Sequence, residues 1–172
     1  HVVLNGAAFG VSAITGRLAR FDGSTFQVVG AGGRTVTSNL AVFQNAVYYG
    51  AVGGGTIGTE LFRFTGSVEQ LAADIRPPFI SISRSSSPHD LVVFDGQLYF
   101  GVDPDFLFND PAAIFRFNGT TLSAFFTSSV FASISELTVA GGKLFAVHQP
   151  GSVAPTQIER YGAATGLELI VG

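Results

Sequence analysis

The sequence predicts an all-β chain, a β-propeller built of four four-stranded blades, and three observations carry that prediction. One phrase recurs four times, as Leu18-Ala-Arg-Phe-Asp-Gly23, Leu61-Phe-Arg-Phe-Thr-Gly66, Ile114-Phe-Arg-Phe-Asn-Gly119 and the weaker Ile158-Glu-Arg-Tyr-Gly162. A second phrase precedes it each time, as Val2–Gly6, Leu40–Asn45, Leu91–Gly96 and Leu137–Gly142. The turn dipeptides Asn5-Gly6, Asp95-Gly96, Asp22-Gly23 and Asn118-Gly119 lie between β-rich runs, the strongest short-range hairpin signal a sequence offers. Four strands per unit at a period of roughly 40 to 50 residues is the signature of a propeller blade.

The elements follow in order within each unit. The first strand is nearly all apolar, as in Leu91-Val92-Val93-Phe94, which predicts an innermost strand crowded on both faces. The second returns directly from the tight turn, as in Gln97-Leu98-Tyr99-Phe100. The third alternates: in Phe115-Arg116-Phe117 the two rings point one way and the arginine the other. A fourth run closes each unit, at Phe26–Gly30, Val68–Asp74, Leu122–Thr127 and Leu167–Val171. No run keeps a 3.6-residue period, so helix is a poor alternative. The blades span about 1–38, 39–88, 89–135 and 136–172 of one domain. No strand is exchanged between the termini, which leaves part of a larger propeller, or a two-chain ring, as the alternative architecture.

The loops fall into two kinds. Those between strands one and two, and three and four, are tight. Those between strands two and three, and between units, are long and irregular: Gly53–Thr59, Asp103–Pro111, Arg76–His89 and Ser128–Ser135. In a propeller the two kinds lie at opposite ends, and function is usually carried by the variable loops.

Composition narrows the function. The 172 residues are 47% hydrophobic and only 12% charged, with 17 Phe, the opposite of a disordered chain. A net charge of -3 argues against nucleic acid, which needs clustered basic residues. No apolar run reaches the length of a membrane-spanning helix. Without cysteine, neither disulfides nor thiolate metal sites are available. The absence of methionine, even at position 1, suggests a processed or trimmed piece whose signal peptide is gone.

Several clusters are candidates for chemistry. Gly53–Gly58 matches Gly-x-Gly-x-x-Gly, but a dinucleotide cradle needs a helix next, and a strand is expected there instead. Asp103, Asp105, Asn109 and Asp110 crowd four oxygen-bearing side chains into one loop, either a solvated acidic turn or a Ca²⁺ site, the one cofactor the sequence offers. Within that loop, Phe106 and Phe108 are candidates for an exposed ligand platform. Asn39, Asp90 and Glu136 each precede the leucine that opens an inner strand, so in a propeller they would ring the channel mouth. Ser87, His89 and Asp90 have the residue types of a nucleophilic triad but are too close in sequence to converge as one. His148 lies in another unit and could reach the same face, yet no Gly-x-Ser-x-Gly elbow appears. Asn118-Gly119-Thr120 is a glycosylation sequon that a hairpin turn also explains.

Gly58-Thr-Glu-Leu-Phe-Arg-Phe-Thr-Gly66 resembles the Gly-x-Glu-Leu-Trp-x-x-Asp-Gly-Thr core of the ELWxxDGT-repeat proteins of bacterial surfaces, with Phe62 and Phe115 where that family has Trp. Ser87–Phe100 resembles the preceding half of the same repeat. The resemblance implies a secreted or surface-attached, propeller-like array. Together these features predict a non-enzymatic binding or adhesion module that uses its long-loop end to hold a glycan or protein, as a possible homo-oligomer. An ion-dependent or hydrolytic site at the channel mouth, or a purely structural repeat, is the alternative.

Overall fold

The structure is a computed structural model that describes residues 1–30, 32–77, 82–129, 131–151, 155–162 and 166–171. The loops Arg76–His89 and Ser128–Ser135 therefore lie partly outside the described residues. Sixteen strands are formed, and no helix is present among the described residues. Nor is any helix there long and apolar enough to cross a membrane.

The fold begins with its turns. Asn5-Gly6, Gln44-Asn45, Asp95-Gly96 and Gly141-Gly142 all carry positive φ at both residues, 49° and 77°, 45° and 59°, 46° and 69°, and 54° and 69°. This is the type I′ geometry, whose twist matches that of paired strands. Each turn joins the first two strands of a sheet. They are β1 (Val2–Leu4) and β2 (Ala7–Val11), β5 (Ala41–Phe43) and β6 (Ala46–Val52), β9 (His89–Phe94) and β10 (Gln97–Val102), and β13 (Ser133–Ala140) and β14 (Lys143–Gln149).

The third strands are β3 (Leu18–Phe21), β7 (Thr59–Phe64), β11 (Ala113–Phe117) and β15 (Gln157–Gly162); the fourth are β4 (Phe26–Val28), β8 (Glu69–Ala73), β12 (Leu122–Thr127) and β16 (Gly166–Val171). Short capped loops join two of these pairs. Asp22 Oδ1 accepts from the Ser24 and Thr25 amides at 3.0 and 2.9 Å, and Asn118 Oδ1 from those of Thr120 and Thr121 at 3.0 and 2.8 Å. These bonds hold the Asp22 carboxyl far below the usual carboxylate range. The sequon asparagine is thus engaged in its own turn.

Four four-stranded antiparallel sheets result, each a simple meander. The chain divides after Pro88 into two compact units, His1–Pro88 and His89–Gly172, of two sheets each. In the first unit Leu4, Phe9, Leu18, Val47, Tyr49, Phe62 and Phe64 form a core; in the second Tyr99, Ile114, Ile134, Leu137, Leu144 and Tyr161 do so. Within each unit the first strands run closest, β1 beside β5 and β9 beside β13. The alternation expected of β11 is present. Phe115 stacks on Phe100 across the ladder at 6.2 Å, while Arg116 Nε donates to Ser123 Oγ at 3.1 Å beside the Phe125 ring.

The first strands differ from expectation. They are not crowded on both faces: Val3, Val93 and Val139 are exposed, whereas β6 and β10 are buried almost throughout. The physical reason is position in the ladder, since the second strand is paired on both sides and the first is an edge. Outward, burial falls away, and β4 is exposed along its whole length. The outer face of the first sheet is also open. There Ala8, Gly10 and Ala19 floor a groove of about 490 Å³ beside the stacked rings of Phe21 and Phe26.

Gly96 has φ 69° with nothing within 4 Å of a Cβ built on it, so any substitution cost there is one of backbone conformation alone. Gly96→Val should therefore destabilise the second unit by about 1–2 kcal/mol, with no change in the core. Chemical denaturation would measure this, and an unchanged midpoint would contradict the turn assignment.

Candidate functional site

In the second unit the connections β10–β11, β12–β13 and β14–β15 all lie at the end opposite the tight turns, as the meander order requires. The first of these is shaped by its own backbone. Asp105 and Asp110 exchange N–H···O bonds at 2.9 and 3.0 Å, the Phe108 amide donates to the Asp105 carbonyl, and Asp105 Oδ1 takes the Leu107 amide at 3.2 Å. The loop tip is thereby pushed outward. Phe106 is 63% exposed and Leu107 91% exposed, while Phe108 is half-buried.

The second connection supplies a partner ring that sequence reasoning missed. Phe131 is 75% exposed and stacks on Phe106, with centroids 6.0 Å apart and planes 25° from parallel. Its loop is anchored by Ser128 N donating to the Ala112 carbonyl at 2.9 Å, Ala132 N to Ser129 O at 3.2 Å, and Ser129 Oγ to Pro150 O at 2.9 Å.

A polar cluster forms at the start of β9. His89 Nδ1 lies 3.1 Å from Asp90 Oδ2, and its Nε2 lies 3.5 Å from Asp103 Oδ1. The imidazole covers Gly101, where a Cβ would stand 2.9 Å from both ring nitrogens, so a larger residue there would force the ring to move. Asp90 and Glu136 both have left-handed backbones, φ 51° and 54°, at irregularities in the pairing of β9 with β10 and of β13 with β14. Asp90 Oδ2 accepts the Glu136 amide at 2.6 Å, so one bulge caps the next. The His89 hydrogen bond, helped by its charge and by the Glu136 and Leu137 amides, holds the Asp90 carboxyl below its ordinary range against the opposing effect of burial. The Glu136 side chain is exposed. Asn39 belongs to the first unit, where it is exposed ahead of β5 and its carbonyl accepts from Ser38 Oγ at 2.6 Å.

Among the described residues no three His, Asp or Glu side chains gather as a metal centre needs. Within the acidic loop, Asp103 turns to His89 and Asp105 to the Leu107 amide. The Gly53–Gly58 loop is closed by its own backbone, Gly53 N to Gly58 O and Ile57 N to Gly54 O, and β7 follows it.

His148 lies apart from the His89 cluster in hydrogen bonding. Its Nδ1 meets Glu159 Oε1 at 2.7 Å and its Nε2 meets Ser128 Oγ at 2.5 Å, while the Tyr161 hydroxyl donates to the other Glu159 oxygen. Sequence reasoning missed Ser128 and Glu159. One signal was available: Glu159 occupies the place in the repeated third strand that Phe62 and Phe115 fill in other units.

The first unit holds another buried acid. Glu60 is fully buried and accepts from the Ile75 amide at 2.8 Å, the Ser86 amide at 3.1 Å and Ser86 Oγ at 2.8 Å. Burial outweighs these donors and pushes its carboxyl up to about 7. Every donor belongs to the β8–β9 connection, so this acid braces a loop.

No protein-family model matches the chain, and a search of curated proteins returns no match.

The Glu60 carboxyl titrates near 4.5 when unfolded and near 7 when folded, so between these values the folded state holds the extra proton. Stability is fully present below about pH 4.5 and declines towards pH 7, by on the order of 3 kcal/mol. Melting curves across that range should show the decline, and Glu60→Gln should remove it. An equal slope in the variant would assign the effect elsewhere.

Proposed function

We propose that the chain is a secreted or surface-attached binding module that holds a glycan or protein ligand at the long-loop end of its second unit. One observation carries this: Phe106 and Phe131, both exposed, are stacked by two separately anchored loops. Aromatic rings held in water lose favourable burial, and loops built to hold them there form a recognition patch. Asp103 and Asn109, both exposed on the same connection as Phe106, supply acceptors. An exposed ring on a connection that also carries carboxylate and amide oxygens suits a sugar, whose C–H face stacks while its hydroxyls donate. The repeat resemblance at Gly58–Gly66 supports the cell-surface setting.

The architecture we infer for this module is a β-propeller. First strands that run closest within each unit, burial that falls towards the fourth strand, and four copies of one repeat support it. The open apolar face of the first sheet supports a further sheet packing there, as in a larger propeller or a two-chain ring.

A glycan array followed by calorimetry tests the binding reading. Phe106→Ala and Phe131→Ala should each weaken the ligand found by roughly tenfold to a hundredfold, the worth of about 1.5–3 kcal/mol of ring burial. Phe26→Ala, in the first unit, should leave affinity unchanged. Wild-type affinity in both loop variants would remove the aromatic pair from the site.

A further inference from the structure

We propose that Ser128, His148 and Glu159 form a nucleophilic acyl-transfer centre that hydrolyses carboxylic esters. This activity does not depend on the ligand assigned to the aromatic pair. The three side chains come from separate segments: Ser128 follows β12, His148 lies near the end of β14, and Glu159 sits in β15. They form an unbroken relay, Ser128 Oγ to His148 Nε2 at 2.5 Å and His148 Nδ1 to Glu159 Oε1 at 2.7 Å. Nucleophile to base and base to orienting carboxylate is the geometry such chemistry needs.

The surroundings assign the protons. Glu159 accepts from Tyr161 at one oxygen and from His148 at the other, which places the imidazole proton on Nδ1. The Nε2 lone pair is then left for the Ser128 hydroxyl. Phe126 meets the imidazole edge-on at 5.3 Å and fixes its plane. Burial is graded along the relay: Ser128 is half-exposed, His148 is 6% exposed and Glu159 is 2% exposed. A substrate arriving from solvent therefore meets the hydroxyl first.

A mere brace for the fold is a poorer account. The positions matching His148 and Glu159 in strand register are Ala51 and Phe62 in the second sheet, and Val102 and Phe115 in the third. The third sheet forms the same meander with apolar side chains there; in the second, Glu60 opposite Ala51 holds Ser86 of the next connection directly, so a brace needs no histidine between acid and serine.

The reaction balances. Ser128 Oγ adds to the ester carbonyl carbon as its proton passes to His148 Nε2. The carbon–oxygen bond to the alcohol breaks, and that proton leaves with the alcohol. Water then attacks the acyl-serine by the same relay, releasing the acid and restoring the hydroxyl.

Labelling with a fluorophosphonate, with peptide mapping, and turnover of p-nitrophenyl acetate test this on the 172-residue chain. The expected result is one adduct on Ser128. Ser128→Ala should abolish the adduct and lower kcat/KM at least about a hundredfold while the melting temperature holds. Glu159→Gln should lower kcat with KM unchanged, as befits a positioning residue. An unlabelled folded protein, an adduct on another serine, or equal ester turnover in Ser128→Ala would overturn the proposal. Glycan binding by these variants is a separate readout, so the failure of either reading leaves the other visible.

Discussion

The constraint on which this structure rests is the burial of sheet faces. A four-stranded meander satisfies its interior backbone groups through its own ladder, yet in the second and third sheets the second strand is buried on both sides. In β6, Ala46 through Ala51 are buried without interruption, and β10 is nearly as enclosed. No such strand is stable in a lone sheet, because one face would meet water. Stacking sheets face to face removes that cost, and apolar area buried at roughly 25 cal/mol per Å² is the main favourable contribution. Within each unit the first strands come together as its two sheets stack, and the ends of the strands stay free for loops.

Those ends are unequal. One is closed by two-residue turns whose φ values leave little choice of conformation, and the other by connections long enough to fold on themselves. The contrast between the two buried acids shows what the loops can do. Glu60 satisfies a single long connection with one carboxylate, and burial holds its proton near neutrality. Glu159 faces a histidine and a tyrosine instead, and through the histidine it reaches a half-exposed serine. The same residue type is therefore a loop brace in one unit and the inner end of a proton path in the other.

Much of the fold could be read from the sequence, because strand pairing is local. Phe-Arg-Phe alternation and turn dipeptides each speak within a dozen residues, and the strands formed where these signals lay. The apolar content of the first strands points to enclosure on both faces, whereas an edge strand keeps one side open. The site was legible in part. Phe106 stood out as a ring in an acidic loop, while Phe131 in its Ser-rich loop gave no cue to its partner. Ser128 and Glu159 lie 20 and 11 residues from His148, and only sheet register brings the three together. Glu159 in an aromatic slot of the repeat was the single trace.

Each sheet completes its hydrogen-bond ladder within one continuous stretch of chain. Lengthening or shortening the polypeptide by a whole repeat therefore severs no ladder, and duplication within a gene can change the number of sheets without refolding those already present. A change can then enter one copy alone: Glu159 stands in the fourth repeat where the second and third carry Phe62 and Phe115 and the first Ala19.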